Sequence, residues 1–244
     1  MTPPFATARH AAFASLRRAA TGLARDLTDG LLPQRCAACA TPVAAERGLC
    51  EACECAIPRA PLELCARCLS EEREGGGCAR HPGYRVSAAW LYDERAAACV
   101  HALKFGARRP LAAGLAAAIA RALPAGYRPG AVIEAPLHPA RRRERGFDQA
   151  ALLARALARA IGAPHVPGAL RRVRATEAQT GLGAAARRRN LEGAFALADP
   201  GAWRGREVLV VDDVLTTGST LCAALAPLEL AGARSRGAAI AWAA

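Results

Sequence analysis

The sequence predicts an α/β protein: a mostly parallel sheet flanked by helices, preceded by a small double zinc ribbon. Three observations carry this. Short apolar runs such as 208–211 alternate with segments of helical period, the order that builds a parallel sheet. Eight of the ten cysteines fall between positions 36 and 78, mostly as Cys-x2-Cys pairs. The apolar run at 208–211 leads through a hydroxyl-rich turn into a further helical run, which places ligands at the carboxyl edge of the sheet.

A chain of 244 residues suits one α/β domain with a small appendage. No stretch reaches the roughly 18 apolar residues that a membrane span needs, and the first thirty residues lack the apolar core of a secretory leader. No membrane span and a cytoplasmic location are therefore expected. The net charge is +12, and it is unevenly spread. Over 138–190, twelve arginines face only Glu144, Asp148 and Glu177, which leaves +9. A localised basic field implies an anionic partner, either a polyphosphate or a nucleic acid. Lys104 is the only lysine.

Residues 1–32 read as an amphipathic helix or tail, because Phe13, Leu16, Ala20, Leu23, Leu27 and Leu31 recur at helical spacing. It could dock on a membrane surface or a partner; rest against the protein's own surface is preferred. Residues 33–83 form the ribbon. Cys36, Cys39, Cys50 and Cys53 make two Cys-x2-Cys turns that can close one tetrahedron. Cys65, Cys68, Cys78 and His81 repeat the plan as a Cys3His set, while Cys55 stands outside both. Cysteines so placed in a cytoplasmic chain are metal ligands rather than disulfides. Four protein ligands leave no open position, so the one or two zinc ions would be structural. So short a region cannot build a core alone, and metal would supply most of its folding free energy. The domain over 84–244 is expected to have a core of its own.

That domain opens with a strand over 84–92, where Tyr84, Val86, Ala88, Trp90 and Tyr92 alternate. Helices follow over RAAACVHALKF and over 110–123, the latter with Pro110 at its start. A short strand at 131–135 runs into PLHPARRRERGFDQA, whose prolines at 136 and 139 stop the strand and stiffen a loop. A helix covers 150–161, with Leu152, Leu153, Leu157 and Ile161 inward. Over 170–195, glycine and alanine between arginine clusters read as a mobile loop that can close on a ligand. A strand over 234–242 closes the sheet.

The organising stretch is EVLVVDDVLTTGSTL at 207–221. Thr216, Thr217, Gly218, Ser219 and Thr220 lie between a strand and a helix, where free backbone N–H groups and the helix dipole make an anion cradle. Gly218 permits backbone angles closed to other residues. No lysine stands in the cradle, so it is not a nucleotide P-loop. Asp212 and Asp213 just ahead suit a sugar phosphate, whose hydroxyls they can accept while the turn holds its 5′-phosphate.

These residues resemble the phosphoribosyl pyrophosphate (PRPP) motif of type I phosphoribosyltransferases. PLHPARRRERGFDQA is similar to PLHPxRxxxRGFNQA, with Asp148 in place of the usual Asn. LRRVRATEAQTGLGAAARRRNLEGAF is similar to LRRxRxTxxQxxLxxxxRxxNxxxAF, with Arg174, Thr176, Gln179, Arg188 and Asn190 at its polar positions. Both are patterns of the ComF family of competence-associated, phosphoribosyltransferase-like proteins, and the resemblance spans nearly all of 36–243. It implies a type I phosphoribosyltransferase fold and a PRPP site. Asp212 and Asp213 would hold the ribose, 216–220 the 5′-phosphate, and Pro136, Leu137 and His138 with Mg²⁺ the pyrophosphate. The arginines over 171–190, Arg174 and Arg188 among them, would fold over it. His101, Lys104 and Phe105 resemble a family segment near the cleft, although His101 fits a helix surface equally well. The partners implied are PRPP or a related ribose phosphate, single-stranded DNA and a competence helicase. The PRPP site would be catalytic or, alternatively, regulatory in a nucleic-acid-binding protein. Glutamine-driven amidotransfer is not expected, since Met1 and Thr2 offer no N-terminal cysteine nucleophile.

Overall fold

A computed structural model of the chain describes residues 34–44, 47–61, 63–72, 78–105, 108–174 and 184–243. The helix expected over 1–32, and Thr176 and Gln179, lie outside the described residues. In chain order the elements are α1 (Glu51–Ala56), β1 (Glu63–Cys65), β2 (Glu71–Glu72), β3 (Arg85–Leu91), α2 (Glu94–Phe105), α3 (Leu111–Ala122) and β4 (Ala131–Glu134). They continue with α4 (Pro139–Arg145), α5 (Gln149–Ile161), β5 (Leu170–Arg172), α6 (Ala184–Leu191), β6 (Phe195–Leu197) and a 3₁₀ turn (Pro200–Trp203). The last are β7 (Glu207–Val211), β8 (Val214–Leu215), α7 (Ser219–Leu230) and β9 (Arg234–Trp242).

Local chemistry sets the ends of these elements. The prolines after β4 do more than stiffen a loop. His138 Nδ1 accepts the Ala140 N–H at 3.1 Å and Pro139 takes the first helical position, where its missing N–H costs nothing, so α4 begins there. Asp148 Oδ1 accepts from Ala151 N at 3.1 Å and caps α5. An Asn at 148 would cap equally well, so the departure from the family pattern leaves this end intact. Within 170–195, where the sequence was read as a loop, β5 and β6 pair antiparallel and α6 is an ordered helix, while 175–183 lie outside the described residues.

One seven-stranded sheet carries the fold, in the order β2-β1-β3-β9-β7-β4, with β8 also beside β9. The two pairs that involve β1 are antiparallel and all the others parallel. β9, the last strand in the chain, therefore lies at the centre of the sheet. β7 and β8 keep one register along β9, with Val211 opposite Ala238 and Val214 opposite Ala241. Asp212 N donates to Ala238 O and Ile240 N to Asp213 O, both at 2.9 Å, so the backbone ladder runs on through the acidic pair.

The sheet is buried on both faces. Leu209 and Val211 pack with Leu115 and Leu153 in one core, and Val208 and Val210 with Leu221 and Leu225 in the other. Burial on both sides is why these strands read as unbroken apolar runs. Of the four α5 residues expected to face inward, Leu153 and Leu157 are fully buried, while Leu152 and Ile161 are only partly so.

The metal-binding turns share these cores, contrary to the expectation of separate ones. Cys36, Leu49, Cys53 and Ile57 pack with Trp90 and Leu111 on one face. Leu64 and Ala66 pack with Val86, Leu215 and Leu221 on the other. A buried ion pair between Arg236 and Glu63 ties β9 to β1 across the sheet. The physical reason is area: about fifty residues cannot cover an apolar core by themselves, so each turn borrows a face of the sheet. Among the described residues no helix is long and apolar enough to cross a membrane.

Candidate functional site

A cavity of about 460 Å³ opens where β4 and β7 end. Pro136, Leu137 and His138 line it from the segment after β4, Asp212, Asp213, Thr216 and Thr220 from that after β7. Lys104 enters from the end of α2, Arg141 and Arg145 from α4, Gln149 from α5, and Arg172 and Phe195 from the paired strands β5 and β6.

The two carboxylates differ in kind. Asp213 is 7% exposed and has both oxygens engaged: Lys104 Nζ stands 3.0 Å from Oδ1, and Gln149 Nε2 donates to Oδ2 at 2.9 Å. Its orientation is thus fixed, with a cation beside it. Gln149 is itself buried, and its Oε1 has no partner among the described residues. Among the described residues Asp212 Oδ1 accepts only the Asp213 N–H, at 2.8 Å. Burial, and next the neighbouring Asp213 charge, push its carboxyl up to about 7. Asp212 is the carboxylate with capacity left for a ligand hydroxyl.

The cradle follows. Gly218 is left-handed at φ 71° and α7 starts at Ser219, whose Oγ lies 2.8 Å from Thr217 Oγ1. The first-turn N–H groups of a helix have no intrahelical acceptor and are available to an anion. Thr216 and Thr220 face the cavity, while Thr217, Gly218 and Ser219 are not among its lining residues.

The arginines sort differently from the sequence reading. Arg174 and Arg188 do not line the cavity. Arg174 Nη2 instead donates to Asn190 O at 2.8 Å and Glu192 O at 2.7 Å, closing off the end of α6, and Arg188 is exposed on α6. Arg145 and Arg172 take the cavity positions. Arg145 Nε and Nη1 and Arg172 Nε are buried with no hydrogen-bond partner among the described residues. Arg145 lies 5.0 Å from the Phe105 ring and Arg172 5.3 Å from that of Phe195, which holds each guanidinium plane in place. Buried donors without acceptors cost of order 1–3 kcal/mol each, a penalty that an oxyanion would remove. His101 is exposed and stacks on Phe105 instead of entering the cavity. Gln149, Arg145 and Phe195 were quoted within motifs but given no role, and Arg172 was counted only as one of the arginines over 171–190. Only the first carried a local cue, its place directly after the helix cap.

Two further groups of side chains converge elsewhere, Cys36, Cys39, Cys50 and Cys53 in one and Cys65, Cys68, Cys78 and His81 in the other. Within each, the four donor atoms lie within 4.8 Å of one another. Tetrahedral zinc with bonds near 2.3 Å to sulfur and 2.05 Å to nitrogen requires about 3.8 Å between sulfurs and about 3.6 Å between sulfur and nitrogen. Cys39 and Cys50 sulfurs are 3.6 Å apart, those of Cys68 and Cys78 3.7 Å, and His81 Nδ1 is 3.6 Å from the sulfurs of Cys65 and Cys78. The donor sets fit zinc, and all ten cysteines are unbridged. The two turns are also built alike. Cys36 N donates to Thr41 O and Cys65 N to Ser70 O, and the residues after Cys39 and Cys68 are left-handed, Ala40 at φ 62° and Leu69 at φ 58°. The Thr41 hydroxyl beside Cys39 brings that thiol down to about 6. Against burial, the Ser70 hydroxyl does the same for Cys68, also to about 6. Thiolate is the form that ligates.

Comparison with known proteins agrees with this architecture. A family model described as phosphoribosyl transferase domain matches residues 147–244. The DNA utilization protein YhgH of Salmonella typhimurium is 35% identical over 193 residues, covering 76% of this chain and 80% of that protein. Its namesake in Escherichia coli K12 is 32% identical over the same shares. Competence protein F of Haemophilus influenzae is 42% identical over 94 residues, which is 38% of this chain and 41% of that protein.

Proposed function

The chain belongs to the ComF family of phosphoribosyltransferase-like proteins, and from that premise we propose that its cavity binds PRPP and transfers the phosphoribosyl group. One observation carries the reading: a single cavity combines an acidic pair, a helix-N-terminal cradle and buried guanidinium nitrogens that have no partner among the described residues. These match the three parts of PRPP. Asp212 accepts from the ribose hydroxyls, with Asp213 holding the Lys104 ammonium and the Gln149 amide in place beside it. The backbone N–H groups of 216–220 bind the 5′-phosphate. Arg145 and Arg172 bind the pyrophosphate, with the backbone of 136–138 behind it.

Mg²⁺ would come with the ligand, since it commonly binds through one or two carboxylates plus substrate phosphates; Asp212 is the carboxylate free to serve it. When bound it neutralises pyrophosphate charge. The chain's own residues supply the remainder. Positive charge develops on the ribose ring as the C1′–O bond to pyrophosphate breaks. Fixed guanidinium and ammonium groups stabilise the departing oxyanion without reorganising, and the rigid cleft orients the acceptor. No nucleophilic side chain takes part. Two structural zinc ions hold the N-terminal turns.

A second reading is favoured by the arginines that are exposed on α4, β5 and α6, among them Arg142, Arg143, Arg171, Arg188 and Arg189. Together with the DNA-related names of the relatives, they support a protein that holds single-stranded DNA, alone or with a competence helicase, and uses PRPP as a regulator.

The test is replacement of both Asp212 and Asp213 by Asn. PRPP affinity should fall at least about tenfold, or roughly 1.4 kcal/mol, while inorganic phosphate binds as well as before or better. Unchanged PRPP affinity in titration calorimetry would refute the proposal.

A further inference from the structure

We propose that the second metal-binding turn is the back wall of the phosphate cradle, so that metal held by Cys65, Cys68, Cys78 and His81 sets the geometry in which 216–220 receives an anion. The inference rests on the ribose-phosphate reading of that loop.

The contact is direct. A Cβ placed on Gly218 would stand 1.7 Å from Ala66 O and 2.8 Å from Ala66 C. Position 218 must therefore be glycine twice over, for its left-handed φ and because the backbone of the metal-binding turn lies against its Cα. Ala66 sits between two ligands, Cys65 and Cys68. Its N–H donates to Tyr84 O at 2.8 Å, and Leu69 N donates to Cys65 O at 2.7 Å, so the peptide has little freedom while the turn is closed. Leu69, directly after Cys68, is held at φ 58°, which a leucine keeps only where its surroundings impose it. Ligation of the adjacent cysteine is such an imposition.

The loop has no soft layer behind it. Leu215 before it and Leu221 after it pack in the same core as Leu64 and Ala66, all essentially inaccessible. Release of the metal lets Leu69 relax to ordinary backbone angles and the Ala66 peptide move. Gly218 then loses the surface that aims the neighbouring N–H groups inward. The first metal group lies farther off: Cys36 and Cys53 pack with Leu111 and Trp90 in the core on the opposite face of the sheet, which among the described residues takes in Val214 but none of 216–220. The coupling is therefore asymmetric between two otherwise similar sites.

Linkage makes this measurable without any turnover, since a ligand that favours the metal-closed state must in turn favour retention of the metal. Full-length protein loaded with two zinc ions is challenged with a chromogenic chelator, with and without saturating ribose 5-phosphate. One zinc should leave at least about fivefold more slowly with the sugar phosphate present, and the other at an unchanged rate, in line with typical coupling factors. In the converse experiment, Cys78→Ser should weaken ribose 5-phosphate binding by about fivefold or more, and Cys39→Ser by less than about twofold. Release of both ions at rates indifferent to ribose 5-phosphate would overturn the inference, and that measurement on the unaltered protein decides the matter if Cys78→Ser does not fold. Failure of the zinc-loaded protein to bind ribose 5-phosphate at all would instead remove the site reading and this inference with it.

Discussion

Gly218 and Gly146 form a natural pair of controls for the contact between cradle and metal turn. Both are left-handed at φ 71°, and Gly146 ends α4. Alanine at either must adopt the left-handed region, at a cost of about 1–2 kcal/mol. A Cβ at 146 meets nothing within 4 Å, whereas one at 218 falls 1.7 Å from Ala66 O. Relief of that overlap requires main chain to move by about 1.5 Å in a packed core, which adds of order 1–3 kcal/mol. At about 3 °C per kcal/mol for a chain of this size, Gly146→Ala should lower Tm by roughly 3–6 °C and Gly218→Ala by roughly 6–15 °C. Scanning calorimetry on metal-replete protein measures both. Equal shifts would show that the Ala66 peptide yields readily, and the argument for a rigid wall would fail.

Two other outcomes follow from the same geometry. Asp212 has its carboxyl raised from an ordinary 3.8 to about 7, so the folded state keeps a proton that the unfolded state loses. Its favourable contribution is complete below about pH 4 and is lost as pH rises through about 7. Asp212→Asn should accordingly raise Tm more at pH 8 than at pH 5, and an equal change at both would refute the assignment. Chelation should lower the stability of the whole described domain in one transition, because both metal turns pack into the sheet's own cores. Far-UV circular dichroism and the fluorescence of buried Trp90 and Trp203 should then report the same midpoint; separate midpoints would restore an independently folding ribbon.

Legibility in the sequence followed the range of each interaction. The strand, acidic pair, turn and helix over 207–230 are contiguous, and their chemistry could be read residue by residue. So could the metal ligands, because each Cys-x2-Cys turn carries its own geometry. What stayed hidden was long-range. Lys104, Gln149 and Asp213 meet only because α2, α5 and β7 converge on one edge. Arg172 and Arg174 are two positions apart and chemically alike, yet one lines the cavity and the other binds the carbonyls that end α6. Strand order cannot be read from periodicity, so the central place of β9 and the joining of β1 to β3 were both invisible. α4 was missed for a different reason. The prolines were taken as breakers, although Pro139 after His138 is a helix start.

The central position of β9 governs when this protein can become a sheet. Val86 pairs with Gly237, 151 positions later (from 86 to 237). At about 5–20 residues per second of synthesis, β3 waits roughly 8–30 s on the ribosome before its neighbour exists. During that interval its inner edge presents bare peptide groups, the template on which strands of other chains aggregate. Its outer edge is covered much earlier, because β1 is made first and stands antiparallel to β3 within the same short stretch of chain. The cysteines and histidine that bracket β1 can then take up metal while the remaining strands are still to come, and the nascent chain has one open edge to protect where it would otherwise have two.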